Sequence, residues 1–391
     1  MSGKRRVAIT GYGVVSPVGI GKEAYWRGLL APQPSGERRA EDFDPKTCYG
    51  DPKSIRHADR FEQFAVYVAQ EALAQAGPLQ ADPDRIGVLL GTGIGGLQTH
   101  EDQTLILDKK GPRRVSPFTV PMMMANAGAA AVSIEHGFRG PCETISSACA
   151  SGTHSIGQAA RWIQWDLCDV VIAGASESGM SPIAINGFRN MRALSSSGMS
   201  RPFDEARDGF VLSEGAAALV LEEWEHATKR GATILGELLG SASLADAHHI
   251  TAPAPGGLGA IRCMRRALED AGLQPKDIRH INAHGTSTAL NDAAEAIGIS
   301  EVFGIPGPIV TSIKGVTGHS LGAAGALEAA AVLLSMQHRL IPPTDGLENL
   351  DPELPRIDLV QKEPRAWTPG PSLSNSFGFG GHNGTLVIGP A

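Results

Sequence analysis

The sequence contains one cysteine in a setting typical of a reactive thiol. Cys149 lies within Thr-Ile-Ser-Ser-Ala-Cys-Ala-Ser-Gly, residues 144–152, between a short β-type run and a helical pattern. This placement predicts a thiol at or near a helix N-terminus, where unpaired N–H groups and the helix dipole favour the thiolate. The small flanking residues leave room for a substrate. The alternative interpretation is a small cysteine buried in the core.

Two histidines lie in turns rich in glycine and hydroxyl side chains. His284 lies in Asn-Ala-His-Gly-Thr-Ser-Thr, residues 282–288, just past a predicted strand, where open α/β sheets place their ligand sites. His319 lies in residues 314–325, at the entrance of a helix of small residues. Either histidine alone would be interpreted as structural. Together they predict two hydrogen-bond donors that point at one developing oxyanion.

Three other patterns do not predict a site. Residues 91–96 are rich in glycine, but their spacing is not that of a dinucleotide-binding loop followed by a long helix. Residues 174–178 follow a strand as a serine nucleophile elbow does, yet the fifth residue is serine where glycine is required. His280 shares a strand face with His284, but no carboxylate or cysteine cluster joins them, so no metal site is predicted.

The composition is that of a globular protein and excludes several classes. Of 391 residues, 42% are apolar and 19% are charged, and the net charge of −7 argues against a nucleic-acid binder. The longest apolar stretches, such as residues 323–336, are too short to span a membrane. Five cysteines form no Cys-x-x-Cys motif and are odd in number. This favours a reducing cytoplasm over a disulfide framework or a zinc site.

The elements that must position these residues alternate between short β-type runs and longer helical patterns. Their apolar residues recur every three or four positions in the helical segments, which predicts α/β layers. The predicted strands are 7–10, 85–90, 169–173 and 280–283, and the predicted helices are 61–75, 153–165, 258–271 and 323–336.

A faint internal repeat divides the chain. Ala-Leu-Ala-Gln-Ala-Gly at residues 72–77 leads to a strand that ends in Gly-Thr. Ala-Leu-Glu-Asp-Ala-Gly at residues 267–272 leads to another strand that ends in Gly-Thr. The same order of helix, turn and strand twice over predicts two copies of one βα unit set. We place the N-terminal half, with the cysteine, at 1–235 and the C-terminal half, with both histidines, at 236–391.

In their order along the chain, these segments and several others resemble the elongating β-ketoacyl synthases of fatty-acid and polyketide assembly. Two of the matching segments contain Cys149 and His284, namely Ser-Ala-Cys-Ala-Ser-Gly at 147–152 and Asn-Ala-His-Gly-Thr-Ser-Thr at 282–288. A third is the glycine-rich segment Asn-Ser-Phe-Gly-Phe-Gly-Gly at 375–381. The other matching segments are 8–19, 93–97, 116–118, 201–204, 207–211 and 317–319.

The resemblance implies a thiolase-type α/β fold, with two βαβαβαββ halves in five αβαβα layers, usually as a dimer. It also implies a decarboxylative condensation in which Cys149 takes an acyl chain from the phosphopantetheine arm of an acyl carrier protein. A malonyl thioester then loses CO₂, and its enolate attacks the acyl-cysteine. No cofactor bound by the enzyme itself is implied. The alternative within the family is a type II polyketide ketosynthase subunit that forms a heterodimer with a chain-length partner.

The resemblance also assigns expected roles to single residues. His284 and His319 would stabilise the enolate, Lys314 would orient His319, and Glu295 would anchor this network. The N–H groups of Cys149 and Phe379 would form an oxyanion hole. The alternatives are a plain ion pair of Lys314 with Glu295 and a core position for Phe379.

Further expected roles concern the substrate's path. Phe379 would act as a mobile gate with Ile94 as its contact in the pocket, and Thr286 and Thr288 would hold the pantetheine arm. An acidic carrier would dock on five basic residues, unless these form an ordinary solvated face. They are Arg113, Arg114, Lys53, Arg56 and Arg60.

Departures from the common family pattern concern substrate more than reaction type. Gly315 stands where many relatives have serine, which is expected to loosen a hydroxyl contact, and His382 stands where threonine is common. A thiolase would need a second catalytic cysteine, but none follows Cys263. An initiating synthase would have asparagine in place of His319, and a non-catalytic chain-length subunit would lack Cys149.

Overall fold

The computed structural model describes residues 4–49 and 51–391 of the chain. Within these ranges the strands are β1 (Val7–Ser16), β2 (Gly19–Ile20), β3 (Ile86–Gly91), β4 (Cys142–Glu143), β5 (Val170–Glu177), β6 (Gly215–Glu223), β7 (Gly236–Ala245), β8 (His280–Asn282), β9 (Ile309–Thr311), β10 (Leu340–Ile341), β11 (Asp358–Leu359), β12 (Arg365–Ala366), β13 (Ser372–Gly378) and β14 (His382–Gly389). The α-helices are α1 (Lys22–Leu29), α2 (Pro52–Arg56), α3 (Arg60–Ala76), α4 (Leu97–Lys110), α5 (Thr119–Met123), α6 (Ala127–His136), α7 (Ser151–Gln164), α8 (Pro182–Asn190), α9 (Trp224–Lys229), α10 (Leu258–Ala271), α11 (Ala289–Phe303), α12 (Lys314–Thr317) and α13 (Ala324–His338).

All eight predicted elements are confirmed, with ends that differ by no more than six residues. The largest difference is in β1, which continues to Ser16. Two glycines beyond the predicted end, Gly11 and Gly13, let α3 lie directly on the strand, since a Cβ at Gly11 would come within 2.2 Å of the Ala72 carbonyl oxygen. The prediction omitted β6, a run of alanine and leucine whose composition does not distinguish a strand from a helix.

The main sheet has twelve strands and contains one arrangement twice. Its N-terminal part has the order β4-β3-β5-β6-β1, and its C-terminal part has the order β9-β8-β13-β14-β7. Numbered in chain order, both parts read 3-2-4-5-1. Antiparallel pairing of Ala8 with Glu237 and of Ile9 with Gly236 joins them. The predicted thiolase-type fold of two similar halves is thus confirmed, while the boundary between residues 235 and 236 stays a prediction.

Three apolar clusters separate the layers. Alternate residues of one strand enter different clusters, so that Ile172 packs against the α3 layer and Val171 packs against the central helices. On the other side, Leu386 faces the central helices and Val387 faces the α10 layer. This period-two alternation gives five layers, with α7 and α13 in the middle.

Glycines bring the N-terminal ends of the two central helices into contact. A Cβ at Gly152 of α7 would lie 2.7 Å from the backbone nitrogen of Ala326 in α13. A Cβ at Gly325 would lie 2.2 Å from the hydroxyl oxygen of Thr153. Because only glycine allows this approach, the loops that precede the two helices also meet.

None of the helices described over residues 4–49 and 51–391 is long and apolar enough to cross a bilayer.

Candidate active site

A cavity of about 490 Å³ opens where three chain segments meet. Cys149 lies two residues before α7, His319 lies five residues before α13, and His284 lies two residues after β8. All three line the cavity, and each is more than nine-tenths buried. The structure therefore brings together the three residues that the sequence singled out.

The reactive atoms of these residues are close to one another. Nε2 of His319 lies 3.0 Å from Sγ of Cys149. The rings of His284 and His319 meet edge to face, with centroids 5.4 Å apart. One nitrogen of each ring and the sulfur all lie within 4.8 Å of one another. A substrate carbonyl above the thiol is therefore within reach of both imidazoles.

The ionisation of Cys149 differs from the expectation. Burial raises the pKa of Cys149 to about 11, and the opposing effects of the Phe379 N–H and of the Lys314 charge are smaller. The expectation that this position favours the thiolate at rest is therefore wrong. The sulfur lies outside the helix, in a site where the loss of water outweighs the nearby N–H groups.

Both histidines are neutral. Burial lowers the pKa of His284 and of His319 well below its usual range, and the charge of Lys314 lowers both further. Nζ of Lys314 lies 3.2 Å from Nδ1 of His284, and because an ammonium group only donates, Nδ1 accepts. The ring proton of His284 is then on Nε2, so this histidine offers a hydrogen-bond donor to the cavity.

Lys314 lies beside His284, and the expectation that it orients His319 is corrected. Its Nζ also donates to the His284 carbonyl at 2.7 Å and forms a buried ion pair with Glu328 of α13. Glu295, the partner considered from the sequence, is not the carboxylate that lies against Lys314. Sequence reasoning missed Glu328, whose signal was that it is the one charged carboxylate in a helix made mostly of small and apolar residues.

Glu295 holds the turn that carries His284. Its carboxylate accepts hydrogen bonds from the backbone N–H groups of His284 and Gly285, both at 2.8 Å, and from the Asn375 amide at 3.2 Å. Burial raises the pKa of Glu295 to about 7, against these hydrogen bonds. The carboxylate therefore acts on the backbone of the first histidine turn and connects it to β13.

The predicted gate lies against the nucleophile. A Cβ at Gly378 would lie 3.0 Å from the backbone nitrogen of Cys149, so the chain before Phe379 packs tightly against the cysteine backbone. Ile94 lines the same cavity. Its N–H donates to Glu177, a fully buried carboxylate that also accepts from Gly93 and Gly322. Glu177 was missed in the sequence, where it followed a strand as part of the rejected serine motif.

The two predicted threonines lie together in the cavity wall. Their hydroxyl oxygens are 2.9 Å apart, and both residues line the cavity. The N–H of Thr286 donates to the buried Asp292 carboxylate. The wall therefore presents a fixed pair of hydroxyl groups to whatever occupies the entrance.

The same trio of residues offers the ligand set that a soft metal ion would need. A thiol and two neutral imidazoles lie within 4.8 Å of one another, which is close enough for one metal ion to bind all three. A cation bound there would face the buried ammonium of Lys314, which lies against His284. This charge disfavours a metal and favours an anion, which is the charge that an enolate carries.

The expected docking residues fall into two exposed groups. Arg113 and Arg114 lie in a short turn after α4, and Lys53 and Arg56 lie on α2. The ring of His57, at the end of α2, stacks on Phe118 with centroids 3.8 Å apart. This contact holds the α2 segment against the segment that follows Arg114.

Arg60 differs from the other four basic residues. Its guanidinium donates three hydrogen bonds to the fully buried Glu214 carboxylate and one to the Ala40 carbonyl. Its charge is therefore used inside the fold, and the expected docking role is corrected for this residue. Arg192, which was not predicted, is exposed and lines the cavity.

The two departures from the common pattern have separate structural settings. A Cβ at Gly315 would lie 2.1 Å from the Asp345 carbonyl oxygen, so Gly315 allows a close backbone contact there. His382 begins β14 beside the gate, and its ring centroid lies 6.5 Å from that of the buried His154. The expected loosening at Gly315 is therefore replaced by tight packing.

Comparison with protein families finds two matching models. Residues 32–227 match the model described as beta-ketoacyl synthase, N-terminal domain, and residues 235–348 match beta-ketoacyl synthase, C-terminal domain. Curated relatives named 3-oxoacyl-[acyl-carrier-protein] synthase 2 are similar over nearly all of their length. Those from Synechocystis and Coxiella burnetii are each 43% identical, over 98% of both chains, and one from Staphylococcus aureus is 41% identical over 99% of both.

Solved structures of similar shape come from two settings. The ishigamide ketosynthase/chain length factor has a TM-score of 0.92 at 31% identity and covers all of both chains. A beta-ketoacyl synthase from Burkholderia phymatum has a TM-score of 0.91 at 32% identity, over 99% of this chain and all of that one. A type II polyketide ketosynthase, solved with its acyl-carrier protein, has a TM-score of 0.90 at 30% identity over all of both chains.

Proposed function

Since the chain belongs to the beta-ketoacyl synthase family, we propose that Cys149, His284 and His319 are its catalytic residues. The protein is a β-ketoacyl-acyl carrier protein synthase, which condenses an acyl thioester with a malonyl-carrier thioester. The observation that carries the assignment of residues is the meeting of one thiol and two neutral imidazoles in one cavity.

In the first half-reaction, the sulfur of Cys149 attacks the carbonyl of an acyl group on a carrier. A new sulfur–acyl bond forms, the bond to the pantetheine sulfur breaks, and the proton of the Cys149 thiol ends on that leaving sulfur. The oxyanion of the tetrahedral intermediate accepts hydrogen bonds from the N–H groups of Cys149 and Phe379. Both groups lie close enough to the sulfur to favour its anionic form.

In the second half-reaction, a malonyl thioester loses CO₂ and its electron pair becomes an enolate. The enolate oxygen accepts hydrogen bonds from His284 and His319. Its carbon then attacks the acyl-Cys149 carbonyl, so that a carbon–carbon bond forms and the bond from the carbonyl carbon to the cysteine sulfur breaks. The leaving sulfur takes up one proton from water, which balances the loss of the carboxylate as CO₂. Neutral imidazoles suit this step because each can donate an N–H hydrogen bond to the developing negative charge and keep its own proton.

Lys314 and Glu328 fix the donor orientation of His284. The ammonium of Lys314 occupies Nδ1 of His284, and Glu328 holds that ammonium in place. Glu295 holds the same turn through its backbone. The two hydroxyl groups of Thr286 and Thr288 would accept and donate hydrogen bonds to the amides of the pantetheine arm.

An acyl carrier protein is the macromolecular partner. The relatives' names and the solved complex of a ketosynthase with its carrier support this. We place an acidic carrier on Arg113, Arg114, Lys53 and Arg56, because these basic side chains are exposed and a stack of His57 on Phe118 joins their two segments. The substrates stay attached to the carrier, and the enzyme is proposed to bind no cofactor of its own.

A second copy of the chain is the proposed partner at the free edge of the sheet. The edge strand β4 is exposed and lies next to α6, which packs against α5, and α5 in turn packs against α4. These helices expose large apolar side chains, among them Leu107, Val120, Met123 and Ile134, the last 81% exposed. An open strand edge beside an apolar surface is typical of an interface. Antiparallel pairing of two β4 strands would cover both.

A ketosynthase subunit with a chain-length partner is the second candidate. It is favoured by the solved heteromeric ketosynthases, which cover the whole chain at TM-scores of 0.90 and above. The higher identity to the synthase 2 relatives favours fatty-acid elongation by a homodimer. The native mass of the purified protein distinguishes a homodimer from a subunit that needs a partner. A reducing cytoplasm is the proposed compartment, because all five cysteines are free thiols.

Mass spectrometry of the intact protein tests the proposed function. The protein is incubated with acyl-carrier thioesters of increasing chain length, and then with malonyl-carrier. We expect the mass of one acyl group on Cys149, followed by its loss and the appearance of a β-ketoacyl carrier that is two carbons longer. Absence of any acyl mass across the panel, in protein that is folded and reduced, would contradict the proposal.

A further inference from the structure

We infer that Arg38 is a positioning residue that holds the catalytic turn carrying Lys314 and His319. The inference rests on the proposed function. Arg38 lies between α1 and α2, in a segment without helix or strand, and its side chain is 98% buried (2% exposed). A buried arginine that does not line the cavity needs hydrogen-bond partners elsewhere, and here the partners are carbonyl groups of α12.

The side chain of Arg38 completes the hydrogen bonding of α12. A helix leaves its last carbonyl groups without intrahelical donors. Here the helix stops at Gly318, whose φ is +69°, and the N–H of His319 donates to the Val211 carbonyl instead of continuing the helix. Nη1 of Arg38 donates to the carbonyls of Gly315 and Val316. A cation at the C-terminal end of a helix is also favoured by the helix dipole.

The backbone of Arg38 holds the same turn from a second direction. Its N–H donates to the Leu212 carbonyl, and its carbonyl accepts from the N–H of Glu214. The opposite edge of the same short segment, residues 211–214, pairs with His319. The carbonyl of His319 accepts a hydrogen bond from the N–H of Ser213. The chain at Ser213 therefore lies between Arg38 and His319, and one residue supports the catalytic turn through both its side chain and its backbone.

The guanidinium is anchored on its other side by neutral groups. Nη2 donates to the Gln33 side-chain oxygen at 2.9 Å and to the Pro34 carbonyl at 3.1 Å. Gln33 in turn accepts from the N–H of Ser200. The Asp345 backbone packs against Gly315 from the opposite direction. The turn is thus held between Arg38 and Asp345, and loss of the guanidinium would remove the support on one side.

Displacement of this turn would act on the chemistry at two points. Lys314 begins α12 and sets the tautomer of His284, while His319 follows α12 and contacts the cysteine sulfur. A shift of about 1 Å in a reacting group costs on the order of a hundredfold in rate. Arg38 touches no atom of the cavity lining named above, so its loss would lower kcat and leave the binding of the carrier unchanged.

The test compares Arg38→Ala with Arg230→Ala as a matched control. The side chain of Arg230 is also buried, 6% exposed, and it donates to the carbonyls of Ala76 and Pro78 at the end of α3, away from the cavity. Unlike Arg38, it also forms an ion pair with the buried Glu222, so the loss of stability expected in this control is the larger one. Steady-state decarboxylation of malonyl-carrier is measured for both variants. We expect Arg38→Ala to lose about tenfold to a hundredfold in kcat with little change in KM. Arg230→Ala should lose thermal stability and keep the wild-type kcat.

Added guanidinium ion provides the decisive readout. It should restore part of the kcat of Arg38→Ala, because a free guanidinium can refill the space between the Gly315 and Val316 carbonyls, while methylammonium should restore less. A kcat equal to that of Arg230→Ala, or equal effects of both cations, would overturn the inference. If Arg38→Ala does not fold, Arg38→Lys replaces it, with an expected intermediate kcat; a wild-type kcat in that variant also overturns the inference.

A second measurement needs no carrier substrate. The rate at which iodoacetamide alkylates Cys149 is followed against pH, because His319 contacts the sulfur directly. The profile should change in Arg38→Ala and stay as in wild type in Arg230→Ala; an unchanged profile in both speaks against a positioning role. If wild type and Arg230→Ala both fail to acylate or decarboxylate, the proposed function fails, and the alkylation profile still decides the role of Arg38.

Discussion

Nε2 of His319 lies 3.0 Å from Sγ of Cys149, although 170 positions separate the two residues in the chain. The contact exists because α7 and α13 meet at Gly152 and Gly325, which leaves their preceding loops side by side. The cysteine comes from one half of the fold and the histidine comes from the other. The proposed reaction site is therefore a product of the packing of the two halves, and each half alone would contain only part of it.

Cys149→Ala is expected to abolish acylation and condensation while the fold is kept, because Cys149 is the one thiol that faces the cavity among the residues that line it. Intact-protein mass spectrometry with an acyl-carrier substrate checks this. The other cysteines of the described chain serve as internal controls. An acyl group found on Cys48, Cys142, Cys168 or Cys263 would contradict the assigned nucleophile.

His284→Ala and His319→Ala are each expected to reduce malonyl decarboxylation about a hundredfold to a thousandfold, the usual cost of removing one donor from a developing oxyanion. The two variants should differ in acylation. His319 contacts the sulfur directly, so its loss should also slow acylation, whereas His284→Ala should acylate at close to the wild-type rate. Single-turnover measurements of each half-reaction separate these effects. Wild-type decarboxylation in both variants would make the histidines structural.

The sequence predicted those parts of the site that depend on local patterns. Cys149, His284 and His319 were found because each lies in a small-residue turn at the end of an element, and such turns are visible in the sequence. The partner of Lys314 was not found, because Glu328 reaches it from another helix. The state of Cys149 was also missed, because the pKa of the thiol depends on burial by both halves and not on the start of α7 alone.

The buried pair of Lys314 and Glu328 gives a prediction with a built-in control. Lys314→Met leaves the Glu328 carboxylate buried and unpaired, a loss that typically costs about 3–5 kcal/mol of unfolding free energy. Adding Glu328→Gln should restore most of that stability, because no buried charge is then left alone. Decarboxylation should stay low in the double variant, since the donor to Nδ1 of His284 is still missing. Urea unfolding measures the expected loss and recovery of stability, and the decarboxylation rate shows whether activity stays low. Recovery of the rate together with the stability would show that Lys314 has only a structural role.

His280 is expected to make the fold sensitive to acid. The side chain is buried on β8, neither ring nitrogen has a hydrogen-bond partner among the described residues, and burial lowers its pKa to about 3. Below a pH of about 6.5 the unfolded chain takes up a proton that the folded chain does not. The stability that depends on neutral His280 is therefore present above that pH and is lost as the pH falls.

His280→Phe is the variant that isolates this effect. Between pH 6.5 and pH 5.0 the wild type should lose about 1.6 kcal/mol more unfolding free energy than the variant, because the slope rises from about half to nearly all of 1.4 kcal/mol per pH unit as the unfolded histidine becomes protonated. The buried His284 and His319 also lower the unfolding free energy as the pH falls, but they do so equally in the wild type and in the variant. The pKa of Glu177, Glu295 and Glu328 is raised to about 7, and these groups act with the opposite sign, again in both. Urea unfolding at the two pH values gives the comparison, and equal losses in the two proteins would contradict it.

Reversal of Arg113 and Arg114 to glutamate is expected to slow acylation from a carrier-bound substrate. Both side chains are exposed and lie beside the segment that the His57–Phe118 stack holds against α2. Charges at the rim of an interface act mainly on the rate of association and on its salt dependence. High salt should therefore reduce the difference from wild type, since exposed charges are screened beyond about 8 Å at physiological ionic strength.

The matched control for this reversal is the change of Arg265 and Arg266 to glutamate. These two arginines are also adjacent and exposed, but they lie on α10, where each faces a carboxylate. The net charge changes by the same amount in both variants. A small pantetheine thioester without a carrier should acylate both at close to the wild-type rate, because neither change touches the cavity. The measured quantity is the ratio of the acylation rate with the carrier substrate to the acylation rate with the small thioester. A ratio that falls equally in both variants would mean that net charge alone slows the carrier, and an unchanged ratio in the Arg113 and Arg114 variant would place the carrier on another surface.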